Sequence, residues 1–276
     1  MVKIIQELRK IIDENPNVLD LYKRNLLKEY LQFFILDYVY SNKDYSQLIF
    51  YGGSALAQCY ELPRLSEDLD FVDVEKRISL NDLAKDLTKY IEKELQLPVK
   101  VKIQKFRIYL KFPILKQLGF ADESQSDLLN LKIEVFKGFK FCRKYGTEVK
   151  PIFRHNKSVL VRVFDLPTLM STKIRAILYR KWEKVDKQGE TLISVKGRDY
   201  FDLMWYLQKG VKPNLACIEK VDDMEALKKK MLRIIEKIDS RSIILDLESF
   251  VSDRNFVENL GNNIKEILKT EVKKMK

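Results

Sequence analysis

The 276 residues carry 51 Lys+Arg against 40 Asp+Glu, a net charge of +11, and 46% of them are apolar. That balance excludes a disordered chain, and the length allows one large domain or two modest ones. Three scattered cysteines (Cys59, Cys142, Cys217) with no CxxC pair, and a single histidine (His155), exclude a zinc framework or a His-based metal site.

Reduced thiols without a disulfide framework, in a cytoplasmic protein, are the expectation. The N-terminal stretch MVKIIQELRKIIDENPN lacks the apolar core of a signal peptide. The most apolar run, residues 30–40, is broken by Gln32 and Asp37 and is too short to span a bilayer. His155, among basic residues in a predicted loop, reads as a surface histidine.

Helical periodicity predicts helices over 2–12 and 18–40, separated by Pro16. A short apolar run, 48–51, then reaches Gly52-Gly53-Ser54, a helix-compatible stretch follows, and Asp68-Leu69-Asp70-Phe71-Val72 reads as a strand. Asp68 and Asp70 are two apart and share one face of it. Adjacent carboxylates repel unless a cation sits between them, and Mg²⁺ is the usual compensation. The glycine turn at a helix start offers free N–H groups to a phosphate. Two exposed acids on an edge strand beside a solvated turn is the plainer alternative. Ser66 shares the face of Asp68 and either touches the metal site or bonds the turn.

This stretch, GGSAL…LPRLSEDLDF, resembles the AbiEii toxin family of type IV toxin–antitoxin systems, within the nucleotidyltransferase superfamily that has a DNA-polymerase-β-like core. The resemblance implies that Gly52, Gly53 and Ser54 hold the β- and γ-phosphates of an NTP. It also implies that Asp68 and Asp70 bind metal, with a third acid on a later strand.

Further on, a helix is predicted over 80–96, strands over 99–103 and 106–112, and a connection over 114–127. In LNLKIEVF, residues 129–136, Lys132 and Glu134 share a face. Glu134 fits the third carboxylate and Lys132 the family's Lys-x-acid element, although a Lys–Glu pair on a half-exposed strand is common. Residues 137–158 interleave Phe139, Phe141, Tyr145 and Phe153 with Lys137, Lys140, Arg143, Lys144, Lys150 and Arg154. Such a pattern suits phosphates and unpaired bases, and equally a hairpin whose aromatics enter the core. Residues 100–198 hold 23 basic and 9 acidic residues, so the whole positive excess lies in mid-chain, as a polyanion-binding surface predicts.

After a strand over 159–164, Asp165-Leu166-Pro167-Thr168 starts a helix, capped by Asp165 or Thr168. Lys173 is read as early on that helix, where the dipole disfavours it and a triphosphate would compensate. Residues 183–196 read as a mobile insertion. Lys196-Gly197-Arg198-Asp199 then opens a helix on which Asp199 and Asp202 share a face. DLPTLMSTK and the Arg-Asp-x-x-Asp resemble family elements, which places Lys173 and Asp199 among the functional residues. Asp199 also suits a capping role, and Asp202 a structural one. Residues 221–238 and 255–275 are amphipathic helices.

The expectation is therefore an α+β protein. A nucleotidyltransferase-type mixed sheet with flanking helices would span 1–165, and a C-terminal helical domain 166–276. Asp68, Asp70 and Glu134 are the candidate metal ligands for Mg²⁺ or Mn²⁺. Gly52, Gly53, Ser54, Ser66, Lys132 and Lys173 are the candidate NTP contacts. The implied partners are NTP, an RNA such as tRNA, and an antitoxin from a neighbouring gene. Transfer to a small-molecule or protein hydroxyl, or non-catalytic NTP binding, are the other readings.

Overall fold

The structure is a computed structural model and describes residues 2–142, 144–180, 184–185, 191–193 and 195–275. Half of the predicted insertion 183–196, and Arg143, lie outside the described residues. The elements run α1 (Val2–Asp13), α2 (Asp20–Ser41), β1 (Ile49–Tyr51), α3 (Gly52–Tyr60), β2 (Asp68–Asp73), α4 (Leu80–Lys93), β3 (Lys100–Gln104), β4 (Arg107–Pro113) and β5 (Leu128–Lys137). They continue with β6 (Thr147–Arg154), β7 (Lys157–Phe164), α5 (Leu166–Tyr179), β8 (Lys184–Val185), β9 (Thr191–Ile193), α6 (Gly197–Gln208), α7 (Met224–Ile235), α8 (Ser240–Leu247) and α9 (Arg254–Lys274). This is the expected mixed α+β architecture.

The chain divides into two units. The first comprises Met1–Glu61, Leu65–Phe139 and Glu148–Val163, and the second Leu62–Arg64, Lys140–Thr147 and Phe164–Lys276.

A seven-stranded sheet of order β3-β4-β5-β2-β1-β7-β6 dominates the first unit. β2 runs parallel to β5 and antiparallel to β1, while β3–β4 and β4–β5 are antiparallel. Alternation along β4, and along parts of β2 and β5, gives these strands one buried face. Leu69, Phe71, Ile108, Leu110, Phe112, Leu131 and Ile133 are fully buried on one face. α2 packs against β5 there, and α4 against β3 and β4. α4 starts where the Ser79 hydroxyl accepts the Asp82 N–H. The other face of β2, β4 and β5 carries the polar residues of the motifs.

In the second unit α6 packs against α5, α8 and α9. Asp165, Asp223, Asp239 and Asp253 each cap a helix, which resolves the Asp165-or-Thr168 alternative for α5. Gly197 allows α6 to meet α8, because a Cβ there would lie 2.9 Å from the Ile243 backbone.

One expectation fails. Cys142 and Cys217 are joined by a disulfide within the second unit, both buried. Their separation of 75 residues gives no pairing signal, because only the fold brings the thiols together. Cys59 is free, and burial pushes its thiol up to about 12.

Candidate active site

β2 and β5 lie side by side in register, so Asp68 pairs with Lys132 and Asp70 with Glu134. The period of two thus turns two separate sequence motifs into one block of side chains. Lys132 Nζ bridges Asp68 and Glu134 at 2.9 Å each, and Arg107 Nε donates to Glu134 at 2.8 Å from β4. Burial, then the charge of Glu67, raise the Asp68 carboxyl above its ordinary range despite Lys132. Burial alone would lower the Lys132 ammonium, but Asp68 and Glu134 outweigh it and raise it.

Among the described residues no three His, Cys, Asp or Glu side chains converge on one point. The ammonium of Lys132 occupies the space between two of the three candidate ligands. Chemically the set still fits a hard divalent cation, since Asp68, Asp70 and Glu134 offer carboxylate oxygens from neighbouring strands.

α3 begins directly after β1, and its N-cap residue, Tyr51, provides no side-chain cap. The first N–H groups of the helix therefore receive no bond from the Tyr51 side chain. Gly52 sits at φ +80°, and a Cβ on it would lie 2.4 Å from Asp70 Oδ2. Glycine is required twice over, by its backbone conformation and by the approach of the carboxylate. Gly53 follows in the first turn. Ser54 is fully buried and its hydroxyl donates to the Asp68 carbonyl, so its side chain ties α3 to β2. Ser66 lies two residues before the start of β2. Its carbonyl accepts from Gln32.

A second polar cluster lies within the second unit. Arg64 Nε and Nη2 hold the Asp202 carboxylate in a two-pronged bond, each at 2.6 Å. Lys173 Nζ reaches Asp202 at 2.7 Å and Asp199 at 2.8 Å. Arg180 lies 3.5 Å from Asp199. Burial would raise Asp199, but Lys173, Lys196 and Arg180 outweigh it and hold it at about 2. Arg64 and Lys173 likewise hold Asp202 down against burial. Burial first, and then Arg198, depress Lys196 to about 8.

Two predicted details change here. Lys173 is the eighth residue of α5, not an early one, so Asp199 and Asp202 rather than a helix dipole account for its charge. Lys196, not Asp199, occupies the cap position of α6. In the sequence Arg64 stands out only as part of the LPRLSEDLDF stretch. An aspartate between Phe201 and Leu203 was a sign that Asp202 needed a buried cation.

The aromatics of 137–158 divide. Phe139 is buried, Tyr145 packs on Phe164, and Phe141 lies under the Arg175 guanidinium at 3.5 Å. Phe153 is 74% exposed. His155 is exposed as expected, and its ring stacks 5.8 Å from Phe34. Among the described residues no helix is long and apolar enough to cross a membrane.

Among solved structures, JHP933 from Helicobacter pylori is similar at 17% identity and a TM-score of 0.50, covering 91% of this chain and 93% of that one. A second H. pylori structure, of a provisionally assigned nucleotidyltransferase, shares 15% identity at a TM-score of 0.45, covering 91% and 97%. At 17% identity the first likeness speaks to the fold alone. No curated protein matches the chain. Residues 37–271 match the model of the nucleotidyl transferase AbiEii toxin of type IV toxin–antitoxin systems, and with that span the chain belongs to the AbiEii nucleotidyltransferase toxin family.

Proposed function

We propose that this family member transfers NMP from an NTP to the 3′ end of an RNA, with tRNA as the acceptor. The observation that carries the reading is the in-register pairing of Asp70 with Glu134, beside Asp68 and against the start of α3. Asp68, Asp70 and Glu134 would hold Mg²⁺ or Mn²⁺. When bound, such ions neutralise phosphate charge and favour attack by a hydroxyl.

The chain's own groups have separate tasks. The first N–H groups of α3, at Gly52 and Gly53, receive the β- and γ-phosphates. Ser54 keeps that turn fixed to the strand of Asp68. Lys132 balances Asp68 and Glu134 and is available to phosphate oxygens when it leaves them. The acceptor hydroxyl oxygen bonds to the α-phosphorus and gives up its proton to solvent, while the α–β bridging P–O bond breaks and pyrophosphate departs. Lys173, proposed on the family resemblance, neutralises triphosphate charge, and Asp199 keeps that ammonium positioned. An antitoxin partner accompanies a toxin of this type.

The test is incubation with total tRNA, Mg²⁺ and each labelled NTP in turn. Label should appear at the tRNA 3′ end and vanish with Asp68→Ala. Label on a small molecule or a protein instead of RNA would overturn the acceptor assignment.

A further inference from the structure

The open face of the sheet in the first unit continues beyond the carboxylates. Strand register sets Asp68, Lys132, Tyr109 and Lys102 in one cross-strand row. Asp70, Glu134, Arg107 and Gln104 form the next, and Asn130, Lys111 and Lys100 a third. On β4 the side chains of Arg107, Tyr109 and Lys111 are half-buried, while Ile108, Leu110 and Phe112 are fully buried behind them. Lys100 and Lys102 are exposed.

Arg107 and Lys132 are matched by Glu134 and Asp68. Among the described residues, no ion pair joins Lys100, Lys102 or Lys111 to an acidic residue. Lys100 stands directly opposite Lys111, and like charges so placed cost stability. Lysines on the edge strand β3 have an ordinary explanation, since they discourage sheet-to-sheet pairing. Lys111 does not, because β4 is paired on both sides. Nor does that explanation cover Tyr109, an aromatic on the open face between Lys102 and Lys132.

The cations recur on successive strands, each about 4.8 Å from the next. They call for a ligand that repeats its negative charge. A lone NTP with its phosphates at α3 would leave them unused.

We infer that this strip, Lys100, Lys102, Tyr109 and Lys111, is the track on which the single-stranded end of the RNA acceptor lies as it approaches Asp68, Asp70 and Glu134. The lysines take phosphates, and Tyr109 stacks on an unpaired base. The inference rests on the RNA-acceptor reading above.

The experiment compares binding of a short fluorescein-labelled single-stranded RNA to three proteins across a salt series. They are the wild type, the triple variant Lys100→Gln/Lys102→Gln/Lys111→Gln, and a charge-matched control, Lys229→Gln/Lys237→Gln/Lys273→Gln. All six lysines are exposed or half-exposed, which protects the fold. The strip variant should bind about 10-fold or more weakly. Its log–log salt slope should shrink by about 2, from three lost contacts at about 0.7 each. The control should stay within about 2-fold. Tyr109→Ala should lose about 10-fold, and Tyr109→Phe almost nothing. NTP affinity by calorimetry should be unchanged in all. If the wild type binds RNA and the strip variant matches it in affinity and slope, the track is refuted and the RNA reading stands. If the wild type binds no RNA while still transferring NMP to another hydroxyl, the RNA reading itself fails, and the track with it.

Discussion

The two polar clusters are built from the same residue types and obey opposite rules. On β2 and β5, three carboxylates face two cations, half open to water, and Asp68 is raised by its surroundings. Around α5 and α6, Asp199 and Asp202 are buried beneath Arg64, Lys173, Arg180 and Lys196, and both are depressed. In the first cluster burial and the neighbouring carboxylates outweigh Lys132 at Asp68, a state that the proposed divalent cation would relieve. The second sets four cations around two carboxylates, so each buried aspartate is held below its ordinary range. Ion pairing alone therefore does not distinguish the two clusters; the direction in which their carboxylates shift does.

The largest effect should come from breaking the first cluster chemically. Asp68→Ala or Asp70→Asn should bring NMP transfer to background in the labelled-NTP assay. Without divalent cation, neither variant should melt below the wild type, because each removes repulsion. A variant that loses activity only because it unfolds would place these carboxylates with the structural cluster instead.

The second cluster should break the other way. Asp202→Ala strands Arg64 and Lys173 in a buried setting and should cost about 3–5 kcal/mol by urea unfolding. Lys173→Ala should be destabilising as well, and in single-turnover assays at saturating RNA it should lower transfer roughly 10²-fold. Loss of stability without loss of turnover would confine Lys173 to the fold. Lys140→Ala, Lys144→Ala and Lys150→Ala should leave turnover nearly unchanged.

Much of the first cluster was legible because it is local. Asp68 with Asp70, and Lys132 with Glu134, are each two residues apart on a strand, and a period of two puts such pairs on one face. Their meeting was legible only through the family resemblance, because parallel pairing of β2 with β5 is a property of the sheet and not of either segment. The glycine turn is legible as a helix start, but the inward turn of Ser54 depends on how α3 packs on β2. The second cluster was mostly hidden. Arg64 and Asp202 are 138 residues apart, so the sequence hints that Asp202 is buried without showing its partner. The Cys142–Cys217 bond was hidden for the same reason.

A pH titration sharpens the contrast at a smaller scale. Asp199 is held at about 2 when folded, against about 3.9 unfolded. A depressed carboxyl stabilises the fold above the unfolded value and loses that contribution as pH falls through the folded one. Urea unfolding should therefore show a loss on the order of 2 kcal/mol between about pH 4 and pH 2, much reduced in Asp199→Asn. An identical profile in the variant would remove Asp199 from the compensated cluster.

The smallest effect, and the most diagnostic, belongs to Lys132, the cation that keeps the first cluster from being as unbalanced as its carboxylates alone would make it. Its side chain is 27% exposed, so water screens part of what it does. Lys132→Met removes the ammonium from between Asp68 and Glu134 and leaves a side chain of similar length. Without divalent cation the variant should be less stable by about 1 kcal/mol, the usual scale for a partly exposed pair. With Mg²⁺ the order should reverse. A ligand stabilises a fold according to its concentration relative to its dissociation constant, and in the variant no resident ammonium has to be displaced. The rise in melting temperature on adding Mg²⁺ should therefore be larger for Lys132→Met than for the wild type, and absent from Asp68→Ala/Asp70→Asn. If Mg²⁺ lifts the wild type and Lys132→Met equally, the ammonium does not compete with the metal. If it lifts neither, the carboxylates of β2 and β5 are not a metal site.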